Sequence, residues 1–453
     1  MHTNQVDFSG ENIRHSILSV AAPMLTAQVL NLLYNIIDRI YIGKIPGEGT
    51  IALAGLGLCF PIITMVTAFA NLFGLGGAPL CSIARGQNDL PLARKIMTNA
   101  YFMLLTCGVL LTALGIIFHR PLLYLFGASA STYPYASGYM VIYLLGTIFV
   151  MTSLGLNPYI NSQGFAKIGM LTVLLGAVSN IILDPIFIFV FHLGVKGAAI
   201  ATVISQLLSA VWVLGFLRGE KAELRLHFSG FRPDFKCIGQ IAALGTASFV
   251  MSCTDSLVQI VCNATLSIYG GDIYISAMTV INSVRQIAQT PVMAISDGAS
   301  PVISYNYGAG AYQRVRKAIR FMTQLGFGYT LIFWGLLSAF PAFFIRIFNR
   351  DAGLLAVSVP ALHIYFFGFF MMAFQFSGQS VFKSLNKAKH AVFFSILRKA
   401  IIVIPLTLLL PRLGNLGVNG VFLAEPISNF IGGLACYITM RATVMPELRH
   451  PHS

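Results

Sequence analysis

The chain contains the same spaced set of residues twice, separated by about half of its length. The first set is Gly76, Pro79, Ser82, Gly86, Arg94 and Lys95, and the second is Gly298, Pro301, Ser304, Gly308, Arg316 and Lys317. Each residue differs from its counterpart by 222 (298 − 76 = 222). Further matches join Ala166-Lys167 to Ala388-Lys389 at 222, and Gly194 and Gly197 to Gly417 and Gly420 at 223. The repeat indicates two fused copies of one unit, an organisation typical of transporters.

The composition is too apolar for a soluble domain. Mean hydropathy is +0.78, and only 10% of the residues are charged, whereas roughly a quarter are charged in soluble domains. The apolar runs do not alternate with polar positions, which excludes a porin-like barrel. They predict an all-α polytopic membrane protein with twelve transmembrane helices in two six-helix lobes. The predicted spans are 16–42, 50–78, 96–118, 133–158, 165–191, 194–217, 237–269, 273–303, 318–345, 354–382, 389–411 and 415–441.

Lysine and arginine concentrate in alternate predicted loops, around 85–95, 167, 218–236, 314–320 and 383–389. By the positive-inside rule, both termini and the 218–236 linker are expected in the cytoplasm. The predicted lobes are 1–217 and 237–441, followed by a cytoplasmic tail at 442–453. Because each lobe has an even number of helices, the two copies should point the same way, with a pseudo-twofold axis along the membrane normal.

The net charge of +14 is interpreted as topology signals that face anionic lipid, and no nucleic-acid partner is expected. The sequence contains no phosphate-binding loop, dinucleotide fingerprint or nucleophile elbow. The seven cysteines lack metal-ligand spacing and suit packing roles. We therefore expect a protein that is not an enzyme and binds no cofactor, in which uphill transport draws on an ion gradient.

Charged side chains at membrane depth are costly and usually functional. In the first copy, oxygen-bearing side chains from several helices are predicted to converge: Asp38, Tyr139, Asn180, Asp184 and Thr202. Adding 222 to the positions of Asp38, Asn180 and Asp184 gives Ile260, Ile402 and Leu406, so the repeated scaffold does not require the carboxylates. Two nearby carboxylates favour a bound proton or cation. The alternatives are that Asp38 pairs with Arg39 and that Asp184 caps a helix break before Pro185.

The second copy has different polar residues. Asp255 and Arg285 are predicted near mid-membrane as a buried ion pair, and Glu425 is the counterpart of Thr202 (425 − 202 = 223), with Arg398 in reach. Such pairs either order the fold or contact substrate. Met371, Phe374 and Gln375 lie in an aromatic and methionine-rich stretch. That stretch suits either a promiscuous wall for organic cations or ordinary packing.

Several motifs resemble the multidrug and toxic compound extrusion (MATE) family, in its bacterial branch. They are Asn180-Ile-Ile-Leu-Asp184-Pro185, Gly194-Val-Lys-Gly197-Ala-Ala-Ile-Ala-Thr202, Asp38 before Tyr41-Ile-Gly43, and Pro301-Val-Ile-Ser-Tyr-Asn-Tyr-Gly-Ala309. The resemblance implies H⁺- or Na⁺-coupled antiport of amphipathic, often cationic drugs by a monomer in the bacterial cytoplasmic membrane.

By the same resemblance, the ion site comprises Asp38, Tyr139, Asn180, Asp184 and Thr202, in which Asp38 and Asp184 would bind Na⁺ if Na⁺ is the coupling ion. Asn31 stands where relatives carry a polar amide, and Pro23 falls at a mobile kink of the first helix. Asp255 stands where some members place an essential carboxylate, but Arg285 is foreign to the pattern.

Two alternatives stay open. A lipid-linked sugar flippase belongs to the same wider superfamily, but such flippases carry several cavity arginines for pyrophosphate. A receptor or channel built from similar helices is the other, although the two-copy fusion argues against a receptor, which has no need for two rocking bundles.

Overall fold

The computed structural model describes residues 5–227, 231–348, 350–414 and 416–449, and all regular secondary structure within these ranges is helical. The first half contains α1 (Ile13–Gly43), α2 (Gly49–Gly86), α3 (Leu90–Leu125), α4 (Tyr133–Leu145), α5 (Thr147–Ser162), α6 (Ala166–Pro185) and α7 (Gly194–Arg218). The second half contains α8 (Phe235–Tyr269), α9 (Asp272–Gly308), α10 (Tyr312–Ala339), α11 (Pro341–Arg346), α12 (Ala352–Tyr365), α13 (Met372–Ser384), α14 (Ala388–Ile396), α15 (Ile404–Leu409) and α16 (Val418–Glu447). Two π-helical segments, Ile186–Val190 and Leu397–Val403, continue α6 and α14.

These helices confirm the predicted all-α membrane fold. In the part of the chain that the structure describes, eight helical stretches are long and apolar enough to cross a bilayer, and two bent pairs qualify as one span each. The bends are 58° between α4 and α5 and 44° between α12 and the helical segment Phe369–Ser384. The remaining predicted spans, 273–303 and 318–345, correspond to α9 and α10, which have 37 and 28 residues. Charged side chains such as Arg285 and Arg320 lower the hydropathy of these two helices.

The chain divides into two compact units. Unit 1 comprises residues 1–7 and 23–245, and unit 2 comprises residues 8–22 and 246–453. The division therefore falls inside α1, between Ala22 and Pro23, and inside α8, between Gly245 and Thr246. Pro23 and Gly245 are repeat counterparts (245 − 23 = 222), so the two copies exchange the beginnings of their first helices at positions that are equivalent to within one residue.

Repeated glycines explain how each unit accommodates the exchanged helix segment. In unit 1, a Cβ atom on Gly76 would lie 2.3 Å from the carbonyl oxygen of Ile241, in the first part of α8. In unit 2, a Cβ atom on the counterpart Gly298 would lie 2.6 Å from the Cα atom of Ala21, in the first part of α1. Small residues let membrane helices approach this closely.

Candidate ion site and charge cluster

Five polar side chains that the sequence singled out are buried in unit 1. Asp38 lies on α1, Tyr139 on α4, Asn180 and Asp184 on α6, and Thr202 on α7. Their exposed fractions are 7%, 3%, 1%, 0% and 4%, in that order. Asn180 and Asp184 are four residues apart and therefore share a face of α6.

Hydrogen bonds and close charge interactions connect these side chains into one cluster. The Nδ2 atom of Asn180 lies 3.3 Å from Oδ1 of Asp184 and 3.3 Å from Oγ1 of Thr202. The carboxyl groups of Asp38 and Asp184 are close enough for their charges to interact. Tyr139 lies close to Asp38 and to Thr202 in the same group. The four helices α1, α4, α6 and α7 thus direct polar atoms to one point.

The cluster has more acceptors than donors. Among the described residues, Oδ1 of Asp38, Oδ1 of Asn180 and Oδ2 of Asp184 are buried without a hydrogen-bond partner. All three are oxygen acceptors, and buried polar atoms are usually satisfied. A proton or a cation would satisfy these atoms, because either one interacts favourably with oxygen acceptors.

The local sequence explains the position of Asp184 and Thr202. Pro185 ends α6 directly after Asp184, since it has no backbone N–H to donate, and the chain continues as the π-helical segment Ile186–Val190. Single π-helical turns often occur at functional sites. A Cβ atom on Gly197 would lie 2.6 Å from the carbonyl oxygen of Phe187. Glycine at this position therefore lets α7 pack against the π-helical segment, which brings Thr202 to α6.

Two tyrosines of the site were not predicted from the sequence. Tyr34 lies one turn before Asp38 and is close enough to Asp38 and Asp184 to interact with their charges. Tyr143 is buried and stacks on Tyr139, with ring centroids 6.2 Å apart. The spacing of four residues, from Tyr34 to Asp38 and from Tyr139 to Tyr143, is the signal that could have identified them.

The alternative partner of Asp38 is engaged elsewhere. The guanidinium of Arg39 lies over the ring of Phe60, 4.7 Å from its centroid, and no ion pair within 4 Å joins Arg39 to Asp38 in the described chain. Asn31 is exposed on α1 and is not part of the hydrogen-bonded cluster. Pro23 lies inside α1, at the division between the two compact units.

Unit 2 contains a second polar cluster, in which cationic side chains outnumber carboxylates. Glu425 on α16 is 4% exposed and faces three cationic side chains. Its Oε1 atom lies 2.5 Å from Nη2 of Arg398, 3.3 Å from Nζ of Lys399 and 3.7 Å from Nη1 of Arg285. Lys399 also lies 3.1 Å from Oδ1 of Asp255. These five residues form what we call the charge cluster.

The pairing differs from the sequence expectation. The sequence predicts that Asp255 pairs with Arg285, but in the structure its close partner is Lys399, a residue that the sequence analysis does not single out. Arg398 and Lys399 are adjacent in the π-helical segment Leu397–Val403, and both reach Glu425. Because a π-helix has a wider turn than an α-helix, helical spacing did not reveal this arrangement.

The proposed aromatic wall contributes mainly to packing within unit 2. The ring of Phe374 lies 4.8 Å from that of Tyr437 and 5.3 Å from that of Phe327. Gln375 is 4% exposed and donates from Nε2 to Oε1 of Gln379 at 3.0 Å. Met371 is half-buried, and its carbonyl oxygen would lie 2.9 Å from a Cβ atom on Gly433. These contacts agree with the packing interpretation.

Comparison with solved structures supports the fold. The chain is similar to an outward-facing multidrug resistance MATE family transporter of the MOP superfamily, at 20% identity with a TM-score of 0.92, covering 99% of both chains. It is also similar to a MOP superfamily transporter from Pyrococcus furiosus whose binding pocket is described as having reverse polarity, at 20% identity and a TM-score of 0.92, covering 99% of this chain and 100% of that one.

Curated relatives are multidrug export proteins. The chain is 27% identical over 300 residues to MepA of Staphylococcus haemolyticus, covering 66% of each chain. It is 23% identical over 437 residues to MepA of Staphylococcus aureus strain NCTC 8325, covering 95% of each. A family profile, MatE, matches residues 23–186 and 247–409, which are equivalent stretches of the two repeats. The chain therefore belongs to the MatE family of membrane transporters.

Proposed function

We propose that this protein exports amphipathic, mostly cationic drugs across the bacterial cytoplasmic membrane in exchange for H⁺ or Na⁺. Family membership and the multidrug export function named for its relatives support the export of drugs. The topology proposed with it has both termini and the 218–236 linker in the cytoplasm, because lysine and arginine concentrate in those loops.

The observation that carries ion coupling is the set of unsatisfied acceptor oxygens in unit 1. Asp38, Asn180 and Asp184 each present a buried oxygen to which no described group donates. Charged groups buried at membrane depth are expensive unless they are compensated. A transported ion compensates them only while it is bound. The free energy of the cluster therefore depends on whether an ion is bound, and coupling of ion binding to drug transport requires such a dependence.

The helices around the cluster provide a mechanism. Asp38 is on α1, whereas Asp184 and Thr202 are on α6 and α7. Loading the cluster removes repulsion between α1 and α6, and releasing the ion restores it. Pro23 deletes one backbone hydrogen bond of α1, so α1 bends more easily at this position than an uninterrupted helix would. We propose that ion loading bends α1 and lowers the affinity for drug.

Reconstitution tests this proposal directly. Proteoliposomes are loaded with a fluorescent organic cation, and transport is driven by a pH gradient or a Na⁺ gradient separately. One gradient should drive uphill transport in the wild type, and D184N should abolish it. D297N is the matched control, since it makes the same change on α9 in unit 2. Transport by D184N at the wild-type level would overturn the ion site, and transport without either gradient would overturn antiport.

The flippase alternative gains no support from the charge cluster. Holding a pyrophosphate needs several free cationic groups, yet Arg398 and Lys399 are bound to Glu425 within 3.4 Å, and Lys399 also contacts Asp255.

A further inference from the structure

The ammonium group of Lys399 is placed like an ion in a binding site. Its Nζ atom lies 3.1 Å from Oδ1 of Asp255, 3.3 Å from Oε1 of Glu425 and 3.4 Å from Oε2 of Glu425. Three carboxylate oxygens from α8 and α16 therefore surround one positive charge. The side chain of Lys399 is 4% exposed, whereas a lysine usually keeps its charge in water.

The chemistry of this arrangement is that of a site for a monovalent cation. Oxygen ligands suit hard cations and ammonium groups alike. The unusual element is that the cation is covalently part of the chain. Lys399 sits in the π-helical segment Leu397–Val403, a type of segment that often marks a functional position.

The charge balance keeps a second cation away. Arg285, Arg398 and Lys399 contribute +3, and Asp255 and Glu425 contribute −2, so the cluster carries a net charge of +1 with every group ionised. Glu425 is within 4 Å of all three cations. Among the described residues, Asp255 pairs within 4 Å only with Lys399. Asp255 is thus the carboxylate that Lys399 withholds from exchangeable ions.

We propose that Lys399 is a tethered cation that permanently occupies a monovalent-cation site in unit 2, so that exchangeable ions bind in unit 1 alone. Removing the ammonium should open this site to a free cation. The side chain of Asp255 is 40% exposed, although its Oδ1 atom is buried, so an ion or a small amine has a route to the site along the exposed part of this side chain. That exchangeable ions bind in unit 1 rests on the proposed function, whereas the occupied site in unit 2 is inferred from its own contacts and does not depend on the identity of the coupling ion.

The test measures binding of radiolabelled methylammonium to purified protein by equilibrium dialysis at constant ionic strength. K399A should gain one saturable site relative to the wild type, because methylammonium replaces the lost ammonium. K399R, which keeps a cation at this position, should gain none. The double variant K399A/D255N should lose the new site, whereas K399A/D184N should keep it, which separates this result from any failure of the ion site in unit 1.

Stability provides a second readout. K399A should unfold at a lower temperature than the wild type, and methylammonium should restore part of the loss. Tetramethylammonium should not, since it has no N–H group to donate. Folded K399A that binds no more methylammonium than the wild type would overturn the proposal. If K399A does not fold even with methylammonium present, D255N in the wild-type background provides the test. Loss of a saturable Na⁺ or methylammonium site in D255N would show that the wild type binds free cations at Asp255 and would overturn the proposal. Unchanged cation binding by D255N would support the tethered cation.

Discussion

Asn180 donates one amide nitrogen to two acceptors, Oδ1 of Asp184 and Oγ1 of Thr202, each at 3.3 Å. The bond to Thr202 connects α6 to α7. The bond to Asp184 engages one of its oxygens, while the other, Oδ2, stays buried without a described partner. A carboxylate held on one side and open on the other is suited to take up and release an ion. The amide also fixes the orientation of Asp184, because a shared donor permits few alternative rotamers.

Removing the amide should therefore weaken coupling without destroying the site. We expect N180A to reduce gradient-driven transport substantially but not to background, since Asp38 and Asp184 are both retained. It also removes the hydrogen bond from Asn180 to Thr202, and a lost buried hydrogen bond costs roughly 1 kcal/mol. Transport rates at several ion concentrations measure the effect, and a higher ion concentration should recover part of the rate. N161A, which alters a buried asparagine of α5, is the control. If N180A and N161A lose the same fraction of the transport rate at every ion concentration, a role of Asn180 in ion binding is contradicted.

The charge cluster leads to a prediction about coupling energies. A double-mutant cycle between Asp255 and Lys399 should give an interaction energy of about 0.5–3 kcal/mol, toward the lower end because Asp255 is partly exposed to solvent. The cycle between Asp255 and Arg285, the pair expected from the sequence, should give a smaller value. Unfolding of purified protein in a mixed-detergent titration measures both. A larger energy for the Arg285 cycle would mean that Arg285, not Lys399, is the functional partner of Asp255.

Glu425 should be the most sensitive residue of this cluster. E425Q leaves Arg398 and Lys399 without their shared buried counter-charge, and breaking a buried pair by removing one partner costs about 3–5 kcal/mol. R285Q should cost much less, because Arg285 is 3.7 Å from Glu425 and its side chain is 21% exposed. Thermal unfolding of the two variants checks the order. If R285Q is the more destabilising change, the contact at 3.7 Å contributes more than its geometry indicates.

The close approach at Gly76 gives a prediction about folding. G76A should destabilise unit 1 strongly, since the new Cβ atom would lie 2.3 Å from the oxygen of Ile241 and 2.8 Å from the Cα atom of Gly245. Both contacts are with backbone, which cannot move aside cheaply; overpacking of this kind costs about 1–3 kcal/mol. G215A on α7 is the matched control, because nothing lies within 4 Å of its new Cβ atom. Equal melting temperatures for G76A and G215A would contradict the packing described for the exchanged helix segment.

The sequence predicts the fold well because apolar length and the repeat are strong signals. All twelve predicted spans correspond to helices, and the carboxylates stood out because their repeat counterparts are Ile260 and Leu406. The contacts of Lys399 could not be predicted in the same way. Its position depends on the π-helical segment, and no pattern of residues in the sequence predicts the wider turn of that segment. The bends in the spans at 133–162 and 352–384 fall at Gly146 and at Gly368, and Gly368 has a left-handed φ of 71°.

Pro23 provides the test of the conformational mechanism. It lies inside α1, fifteen residues before Asp38 (38 − 23 = 15), and proline removes a backbone hydrogen bond that would keep the helix straight. P23A restores this bond, so bending should become harder and transport slower. Drug binding measured without the coupling ion should change little, because the ion cluster itself is intact.

The same mechanism requires that ion and drug oppose each other, because linkage between two binding equilibria is reciprocal. Drug affinity of the wild type should fall as H⁺ or Na⁺ increases, and P23A should show a smaller fall, since α1 responds less to ion loading. D184N should show almost none, because the ion no longer loads the cluster. Fluorescence polarisation of a bound cationic dye, measured across separate pH and Na⁺ titrations, gives all three curves. A wild-type affinity that stays constant in both titrations would remove the antagonism. A P23A curve that matches the wild type would show that ion and drug communicate through another element than the proline bend of α1.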